Sequence, residues 1–237
     1  NTGNVIPDGY DAVITIEDVE EQNGSYLVRS PVPLWHHIRP VGEDIAQYEM
    51  ILPRLTRIRA MDIGAMANFG ISHVPVLDLR VALIPTGSEI VPIGSTPAPG
   101  QVIESNMHMG AALIRETGVS VTHYPPVPDD RDKIRAAIKK AAYDHDIILI
   151  SAGSSKGTKD YTADIISELG EVFVHGVAIK PAKPVIIGEI NHKPVIGLPG
   201  YPIACYTIIR EFVYPLLTWY GFPLPGSDLI SAHLTSP

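Results

Sequence analysis

The sequence has only one cysteine, Cys205, among its 237 residues. A single cysteine cannot form a disulfide within the chain, so no disulfide framework holds the fold, and we expect a reducing, cytoplasmic environment. Basic residues are also scarce, with 18 Lys and Arg against 26 Asp and Glu and a formal net charge of -8. This balance provides no global positive field for nucleic acid or an anionic membrane, so any anionic ligand requires a local site.

Long apolar runs are missing as well. No stretch approaches the roughly 18 consecutive apolar residues typical of a transmembrane helix, and no basic-then-apolar signal opens the chain. The hydrophobic content of 45% is normal for a domain with a buried core. We therefore expect a soluble globular protein, with neither nucleic acid nor membrane as a partner. Because Asn1 has no methionine before it and residues 228–236 resemble the start of a further unit, we also expect a fragment of a longer protein.

The most informative stretch is IILISAGSSKGTKD, residues 147–160. Its first four residues are apolar and favour β-structure, as in a parallel strand buried on both faces. The small residues Gly153, Ser155 and Gly157 follow, and they allow backbone amides to approach a ligand. In open parallel sheets, ligands bind at the carboxyl ends of the strands. The stretch predicts a strand, a ligand loop and a helix, although an ordinary βα turn has the same composition.

Two further predicted strands end in similar loops, at 86–89 and at 198–202. These loops place the carboxylates of Glu89 and Asp160 beside glycine-rich backbone, and Asp129 adds a third carboxylate. Lys180 and Lys183 lie on a separate loop that contains prolines. Three carboxylates and two lysines suit a phosphorylated ligand bridged by a divalent cation. Carboxylates in these positions could equally be helix caps, and the lysines could be solvated.

Periodicity and turn residues predict the remaining elements, including hairpin turns at Asn23-Gly24 and at Asn191-His192. Strands are predicted at 12–16, 25–28, 76–84, 119–124, 172–177, 185–188 and 195–198, and helices at 59–68, 106–116, 165–169 and 203–220, with one more after Asp129 or Asp130. We expect Asn106 to cap the 106–116 helix, and we expect Met109, Ala112 and Leu113 to form its buried face. Pro215 should kink or end the last helix.

The adjacent histidines His36 and His37 could suggest a metal site beside Glu43 and Asp44. Neighbouring side chains are expected to point in different directions, and no spaced partner follows. A surface loop over 35–44 is the preferred prediction.

Between residues 2 and 222, short motifs follow one another in a characteristic order. They are Thr2-Gly3, Ile38-Arg39 with Gly42-Glu43-Asp44, Thr86-Gly87-Ser88-Glu89, Ser105-Asn106, Asp129-Asp130, Ser151-Ala152-Gly153-Ser154-Ser155-Lys156-Gly157 with Asp160, Lys180-Pro181-Ala182-Lys183-Pro184, and Leu198-Pro199-Gly200-Tyr201-Pro202. In order and spacing, the set resembles the molybdopterin molybdenumtransferase family, the MoeA proteins and the gephyrin E-domain.

The resemblance implies an α/β fold: a MogA-like three-layer domain with a parallel sheet and helices on both faces. It would occupy residues 75–220, after a partial β-rich domain at 1–40 and a helical linker at 41–74, and before the start of a C-terminal β domain at 221–237. The implied activity is insertion of molybdenum from molybdate into adenylylated molybdopterin, with release of AMP.

The same resemblance implies roles for individual residues. Asp44, Glu89, Asp129 and Asp160 would be the acidic active-site positions, and Glu89 and Asp160 would hold Mg²⁺ or another divalent cation. The implied cofactor-binding residues are Thr86, Gly87, Asn106, Gly153, Ser155, Gly157, Lys180, Lys183, Pro199, Gly200 and Pro202. A homodimer is implied, and proteins of molybdopterin synthesis or molybdoenzyme maturation are further expected partners.

The chain departs from the family pattern at Ser88, Ala152, Ser154, Lys156, Ala182 and Tyr201. The family's N-terminal Ser-Ala-Met-Asp-Gly-Tyr motif and most of its C-terminal β domain are also missing, so we expect this fragment to bind the pterin without inserting metal. Two other classes stay open: a non-catalytic molybdopterin-binding or scaffold module, and another nucleotide enzyme on the MogA-like fold.

Overall fold

The computed structural model describes residues 2–152, 161–224 and 226. The chain divides into two compact units, Asn1–Val74 and Pro75–Pro237. Within the described residues, no helix is both long enough and apolar enough to cross a membrane.

The N-terminal unit contains an antiparallel hairpin of β1 (Val19–Gln22) and β2 (Ser25–Val28). Asn23 and Gly24 connect the strands with φ angles of 52° and 77°, as a two-residue type I′ turn requires. The prediction of a strand at 12–16 is wrong. A two-residue turn pairs Gln22 with Ser25. This register makes the segment 19–22, with its two glutamates, the partner strand in place of the more apolar segment upstream.

The helix predicted at 59–68 is confirmed as α1 (Ala60–Asn68). Asp62, in its first turn, accepts hydrogen bonds from the backbone N–H and the guanidinium of Arg59. These bonds lower the pKa of the Asp62 carboxyl, with the bond from the Arg59 side chain as the largest cause. Gly70, two residues beyond the helix, has a φ of 73°, which is the left-handed conformation expected after a helix end.

The C-terminal unit alternates strands and helices. Its strands are β3 (Arg80–Ile84), β4 (Ile90–Val91), β5 (Val102–Ile103), β6 (Ser120–His123), β7 (Ile147–Ala152), β8 (Glu171–His175), β9 (Ile186–Ile190) and β10 (Lys193–Pro199). Its helices are α2 (Asn106–Arg115), α3 (Arg131–Asp144), α4 (Tyr161–Leu169), α5 (Pro202–Ile208) and α6 (Tyr214–Trp219).

Six of these strands form one sheet in the order β6-β3-β7-β10-β9-β8. The first four are parallel to one another, and β9 is antiparallel to both β10 and β8. Asn191 and His192 connect β9 to β10 in the predicted hairpin, both with positive φ. Strands β4 and β5 form a separate parallel pair.

The two central strands β3 and β7 are buried on both faces of the sheet. On one face, Val81, Leu83, Ile147 and Leu149 belong to the core that includes α2, α5 and α6. On the other, Ala82, Ile84, Ile148 and Ile150 belong to the core that includes α3 and α4. This arrangement confirms the predicted three-layer α/β fold, and it explains why these strands lack polar alternation.

Two details of the predicted elements are wrong. The strand predicted at 76–84 begins only at Arg80, where pairing with Ser120 begins, and Val76 and Leu77 are exposed. The buried face of α2 is only partly as predicted: Met109 and Leu113 are half-buried against the core, but Ala112 is exposed. The fully buried residues of the helix are Met107, Gly110, Ala111 and Ile114. The small residue Gly110 allows close approach of the last helical segment, since a Cβ there would lie 3.1 Å from Cδ1 of Ile209.

The last predicted helix is continuous but irregular. Pro202 is its first residue, as proline at the N1 position favours. A π-helical stretch, Ile209–Val213, separates α5 from α6 and comes directly before Tyr214 and Pro215. Since proline has no N–H to donate within a helix, a local change of hydrogen-bonding pattern at this point has a clear cause.

Candidate ligand-binding site

The predicted ligand loops begin at one edge of the sheet, because β3, β7 and β10 are adjacent and parallel. Pro199 at the end of β10 lies opposite Ala152 at the end of β7. The Thr86 hydroxyl, just beyond β3, donates a hydrogen bond of 2.9 Å to the carbonyl oxygen of Ser151. We call this edge the carboxyl rim. The predicted residues Gly153, Ser155, Gly157 and Asp160 lie outside the described residues.

Gly87 shapes the first loop of the carboxyl rim. It is buried and has a φ of 141°, where residues with a side chain are strained. A Cβ on Gly87 would lie 2.8 Å from Cγ1 of Ile90 and 2.9 Å from both carboxylate oxygens of Glu89. The exposed Glu89 carboxylate therefore lies over the space that glycine leaves free. Among the described residues it has no hydrogen bond or ion pair, so its oxygens are available to a ligand.

Asp129 and Ser88 connect this loop to the start of α3. The backbone N–H of Ser88 donates to Oδ2 of Asp129 at 3.0 Å, and the backbone N–H of Asp129 donates to the Ser88 hydroxyl at 3.0 Å. The neighbouring Asp130 is the N-cap of α3, accepting from the backbone N–H groups of Asp132 and Lys133. Of the two aspartates considered for capping, Asp130 caps the helix and Asp129 connects two loops.

Asn106 connects the start of α2 to the loop after β10. Its side-chain amide donates a 2.7 Å hydrogen bond to the Gly200 carbonyl oxygen. The prediction that Asn106 caps α2 is wrong, because the Glu104 carboxylate accepts the backbone N–H of Met107 instead, at 2.6 Å. The side-chain oxygen of Asn106 is buried and has no hydrogen-bond partner among the described residues. Leaving such an oxygen unpaired costs about 1–3 kcal/mol, so a ligand N–H donor fits this position.

Lys180 and Lys183 are exposed in the loop between β8 and β9. The first residue of β9, Ile186, pairs with Gly197 near the end of β10, so this loop also lies at the carboxyl rim. Neither lysine has an ion pair within the described part of the chain. Ala182 between them is 1% exposed and belongs to the core, so it fixes the loop while both cations face solvent.

The loop after β10 presents mainly backbone. Pro199 is buried, Gly200 is exposed and Pro202 begins α5. The Tyr201 side chain is 79% exposed, so its bulk is accommodated in solvent at the carboxyl rim.

Asp44 belongs to the N-terminal unit. It forms an ion pair with Arg39, whose guanidinium also contacts the Glu43 carboxylate at 3.3 Å. These contacts raise the pKa of Arg39, with the hydrogen bond to Asp44 as the largest cause.

The segment at 35–44 has no helix or strand, as predicted. The prediction that His36 and His37 point in different directions is wrong, because their rings stack with centroids 3.9 Å apart. The left-handed backbone at His37, with a φ of 55°, brings the rings to the same side.

Sequence reasoning missed a group of three residues beside α2. Glu104, His108 and His123 place one possible metal-ligand atom each within 4.8 Å of the others. Oε2 of Glu104 lies 3.0 Å from Nε2 of His123 and 3.6 Å from Nε2 of His108. The spacing of four residues between Glu104 and His108, at the start of a predicted helix, is the signal that could have found two of these three residues.

Cys205 is buried close to Glu104. Burial is the main cause that raises the pKa of its thiol to about 12, and the negative charge of Glu104 adds to the shift. The thiol is therefore neutral near pH 7 and is not an activated nucleophile.

Taken together, these features define a three-layer α/β domain. Among the described residues, one edge of its parallel strands gathers a glycine-shaped loop, a carboxylate without a partner, an unpaired amide oxygen and two lysines. Residues 82–219 match the family described as "Probable molybdopterin binding domain". The chain belongs to this family. Residues 1–70 match the MoeA N-terminal region, domains I and II, and the two matches confirm the resemblance to the MoeA proteins.

Individual relatives agree with this assignment. The molybdopterin molybdenumtransferase 2 of Mycobacterium tuberculosis is 32% identical over 249 residues, covering 100% of this chain and 61% of the relative. The molybdopterin molybdenumtransferase of Bacillus subtilis is 32% identical, covering 99% of this chain and 56% of the relative. The crystal structure of a molybdopterin biosynthesis MoeA protein from Pyrococcus horikosii is 40% identical, with a TM-score of 0.75, over 87% of this chain and 52% of that one. The chain thus spans little more than half of each relative.

Proposed function

We propose that this chain supplies the molybdopterin-binding domain of a molybdopterin molybdenumtransferase. In the reaction of this enzyme, molybdenum from molybdate enters the dithiolene of adenylylated molybdopterin, and AMP is released. The observation that carries the proposal is the convergence of Glu89, Asn106, Lys180 and Lys183 on the carboxyl rim of a chain that matches two family models. The match at residues 1–70 favours this enzyme over a stand-alone adenylyltransferase, which lacks that region.

Each group at the carboxyl rim has a task in binding such a substrate. The ammonium groups of Lys180 and Lys183 attract the phosphates as point charges, and no acidic partner among the described residues competes for them. The unpaired oxygen of Asn106 accepts a hydrogen bond from a pterin N–H. The bond from Asn106 to Gly200 holds this oxygen in place relative to the loop after β10.

A divalent cation is part of the proposal. The free carboxylate of Glu89 offers the hard oxygen ligands that Mg²⁺ prefers, and Asp160 is the second ligand implied by the family resemblance. When bound, Mg²⁺ offsets the negative charges of phosphate and molybdate. Asp129 positions the loop that carries Glu89 through its two bonds to Ser88. A scaffold that bound the pterin without chemistry would have no need of a carboxylate here that lacks a partner among the described residues.

We also propose that the protein forms a homodimer. The last helical segment buries Cys205, Ile208 and Leu217 in its own core, yet Ile203 and Trp219 on the same segment are 60% and 79% exposed. Two separate exposed apolar side chains do not make an interface by themselves, so the proposal rests on them together with the resemblance to the family. Light scattering of the purified chain should give twice the monomer mass, and a monomer at every concentration would contradict this part of the proposal.

Complementation tests the enzymatic proposal. A gene encoding this chain within its full reading frame should restore molybdoenzyme activity to a strain lacking its molybdenum insertase. Glu89→Gln should abolish the rescue. Glu171→Gln should preserve it, because Glu171 is an exposed residue at the start of the edge strand β8, at the end of the sheet opposite the carboxyl rim. Rescue by Glu89→Gln at the wild-type level would refute the assigned role of Glu89. Absence of molybdopterin binding by the purified wild-type chain would refute the function itself.

A further inference from the structure

We propose that Glu104, His108 and His123 form a binding site for a divalent transition-metal ion of the Zn²⁺ type. The three ligands come from three different places: the loop before α2, the first turn of α2, and the last residue of β6. A bound ion would fasten the N-terminal end of α2 to the edge strand of the sheet.

The distances suit such an ion. In a tetrahedral zinc site with bonds of roughly 2.0–2.1 Å, neighbouring ligand atoms are roughly 3.3 Å apart. Oε2 of Glu104 lies 3.0 Å from Nε2 of His123 and 3.6 Å from Nε2 of His108. The two imidazole rings stack with centroids 4.3 Å apart, which keeps both Nε2 atoms next to the same carboxylate.

The carboxylate is already held in a binding orientation. Glu104 is 4% exposed, and its Oε1 accepts the backbone N–H of Met107 at 2.6 Å, while Oε2 faces the two rings. Hydrogen bonds of this kind orient metal ligands and reduce the cost of ordering them on binding.

The ligand set also selects the type of metal. Two imidazole nitrogens with one carboxylate favour Zn²⁺ and its neighbours in the transition series, whereas Mg²⁺ prefers oxygen ligands alone. The site is therefore chemically distinct from the cation position proposed at Glu89. The side chains of His108 and His123 are 42% and 22% exposed, so an ion can enter from solvent and keep at least one position for water.

A hydrogen bond between Glu104 and His123 could exist without metal, but it does not account for His108. The distance of 3.6 Å from Nε2 of His108 to Oε2 of Glu104 is too long for a hydrogen bond. The His108 ring nevertheless stacks against His123 with its Nε2 toward the same carboxylate. A shared cation explains why all three groups converge.

Cobalt substitution tests the site directly. Titration of the purified chain with Co²⁺ should produce visible absorption that saturates at one equivalent and is displaced by Zn²⁺. His108→Gln, at a partly exposed position on the helix surface, should weaken Co²⁺ binding at least about tenfold, a loss that is typical even of outer-shell substitutions. The matched control is His192→Gln, since His192 also lies beside a glutamate, with Nδ1 3.4 Å from the Glu189 carboxylate, but has no third ligand among the described residues.

Thermal melting provides the second measurement. Zn²⁺ should raise the melting temperature of the wild type and of His192→Gln, and should not raise that of His108→Gln, whose metal-free melting temperature should match the wild type. Unchanged Co²⁺ binding by His108→Gln would overturn the site. Equal weakening by His192→Gln would also overturn it, because binding would then belong to surface histidine pairs. Both readouts measure metal binding alone, so they remain decisive whatever the outcome of the complementation assay.

Discussion

Ser88 and Asp129, 41 residues apart, exchange two hydrogen bonds of 3.0 Å: the N–H of Ser88 reaches the Asp129 carboxylate, and the N–H of Asp129 reaches the Ser88 hydroxyl. This pair joins the loop after β3 to the loop before α3. Since the loop after β3 also carries Glu89, the pair holds the loop from which the Glu89 carboxylate projects.

Substitution of Asp129 should affect function more than stability. Asp129→Ala removes the carboxylate that accepts from Ser88, and because the pair is exposed, the expected loss in the free energy of unfolding is about 1 kcal/mol or less. Molybdenum insertion should fall at least about tenfold, since a small misplacement of positioned groups is costly in rate. Urea unfolding and complementation measure the two effects. Asp132→Ala is the control and should preserve activity, because Asp132 is an exposed residue in the first turn of α3.

Asp130 should show the opposite balance. Asp130→Ala leaves the N–H groups of Asp132 and Lys133 without their cap, which typically costs about 1 kcal/mol of stability. Asp130→Asn should retain most of the stability, because asparagine caps helices nearly as well. Urea unfolding distinguishes the two variants, and an equal loss in both would show that charge and not capping is the relevant contribution.

A side chain at Gly87 should displace Glu89. Gly87→Ala places a Cβ 2.9 Å from both Glu89 carboxylate oxygens and 2.8 Å from Ile90, at a φ of 141°. We expect a loss of roughly 1–3 kcal/mol from strain together with loss of activity. Gly94→Ala is the matched control, since Gly94 has a φ of 86° but no atom within 4 Å of its Cβ position. Equal activity in both variants would contradict the displacement of Glu89.

The two rim lysines should contribute to binding through charge. Lys180→Ala combined with Lys183→Ala should weaken molybdopterin binding and reduce its dependence on salt, because fewer exposed cations are screened. The melting temperature should change little, since both side chains are exposed and have no ion pair among the described residues. Calorimetric titration at two salt concentrations checks this, with Lys139→Ala on α3 as the control. An unchanged salt dependence would place the phosphates elsewhere.

Cys205 should be chemically silent in the folded protein. Its thiol, with a pKa raised from the ordinary 9.0 to about 12, should resist a thiol reagent at pH 8 and react once the chain is unfolded in urea. The folded state holds its proton more tightly than the unfolded state. This contribution to stability is therefore complete below pH 9 and is lost as the pH rises toward about 12. Rapid reaction of the native thiol at pH 8 would contradict the burial.

Local sequence patterns determined much of the fold. The apolar run Ile147–Ile150 predicts a strand buried on both faces, and residues 23–24 and 191–192 predict the two hairpin turns; all three are confirmed. These signals succeed because strand burial and turn geometry depend on residues that are neighbours in the chain. The motif order likewise indicated the family, which the matches at 1–70 and 82–219 confirm.

The tertiary structure alone decided which of these residues meet. The positions of loops far apart in sequence decide that Asp130, and not Asp129, caps α3. They also decide that the Asn106 side chain bonds to Gly200 and does not cap its own helix. The face that α2 buries depends on the small residue Gly110 meeting Ile209 on another helix. Glu104, His108 and His123 converge because β6 pairs with β3 and returns the chain beside α2. Such contacts arise from strand order and helix packing, which no local periodicity encodes.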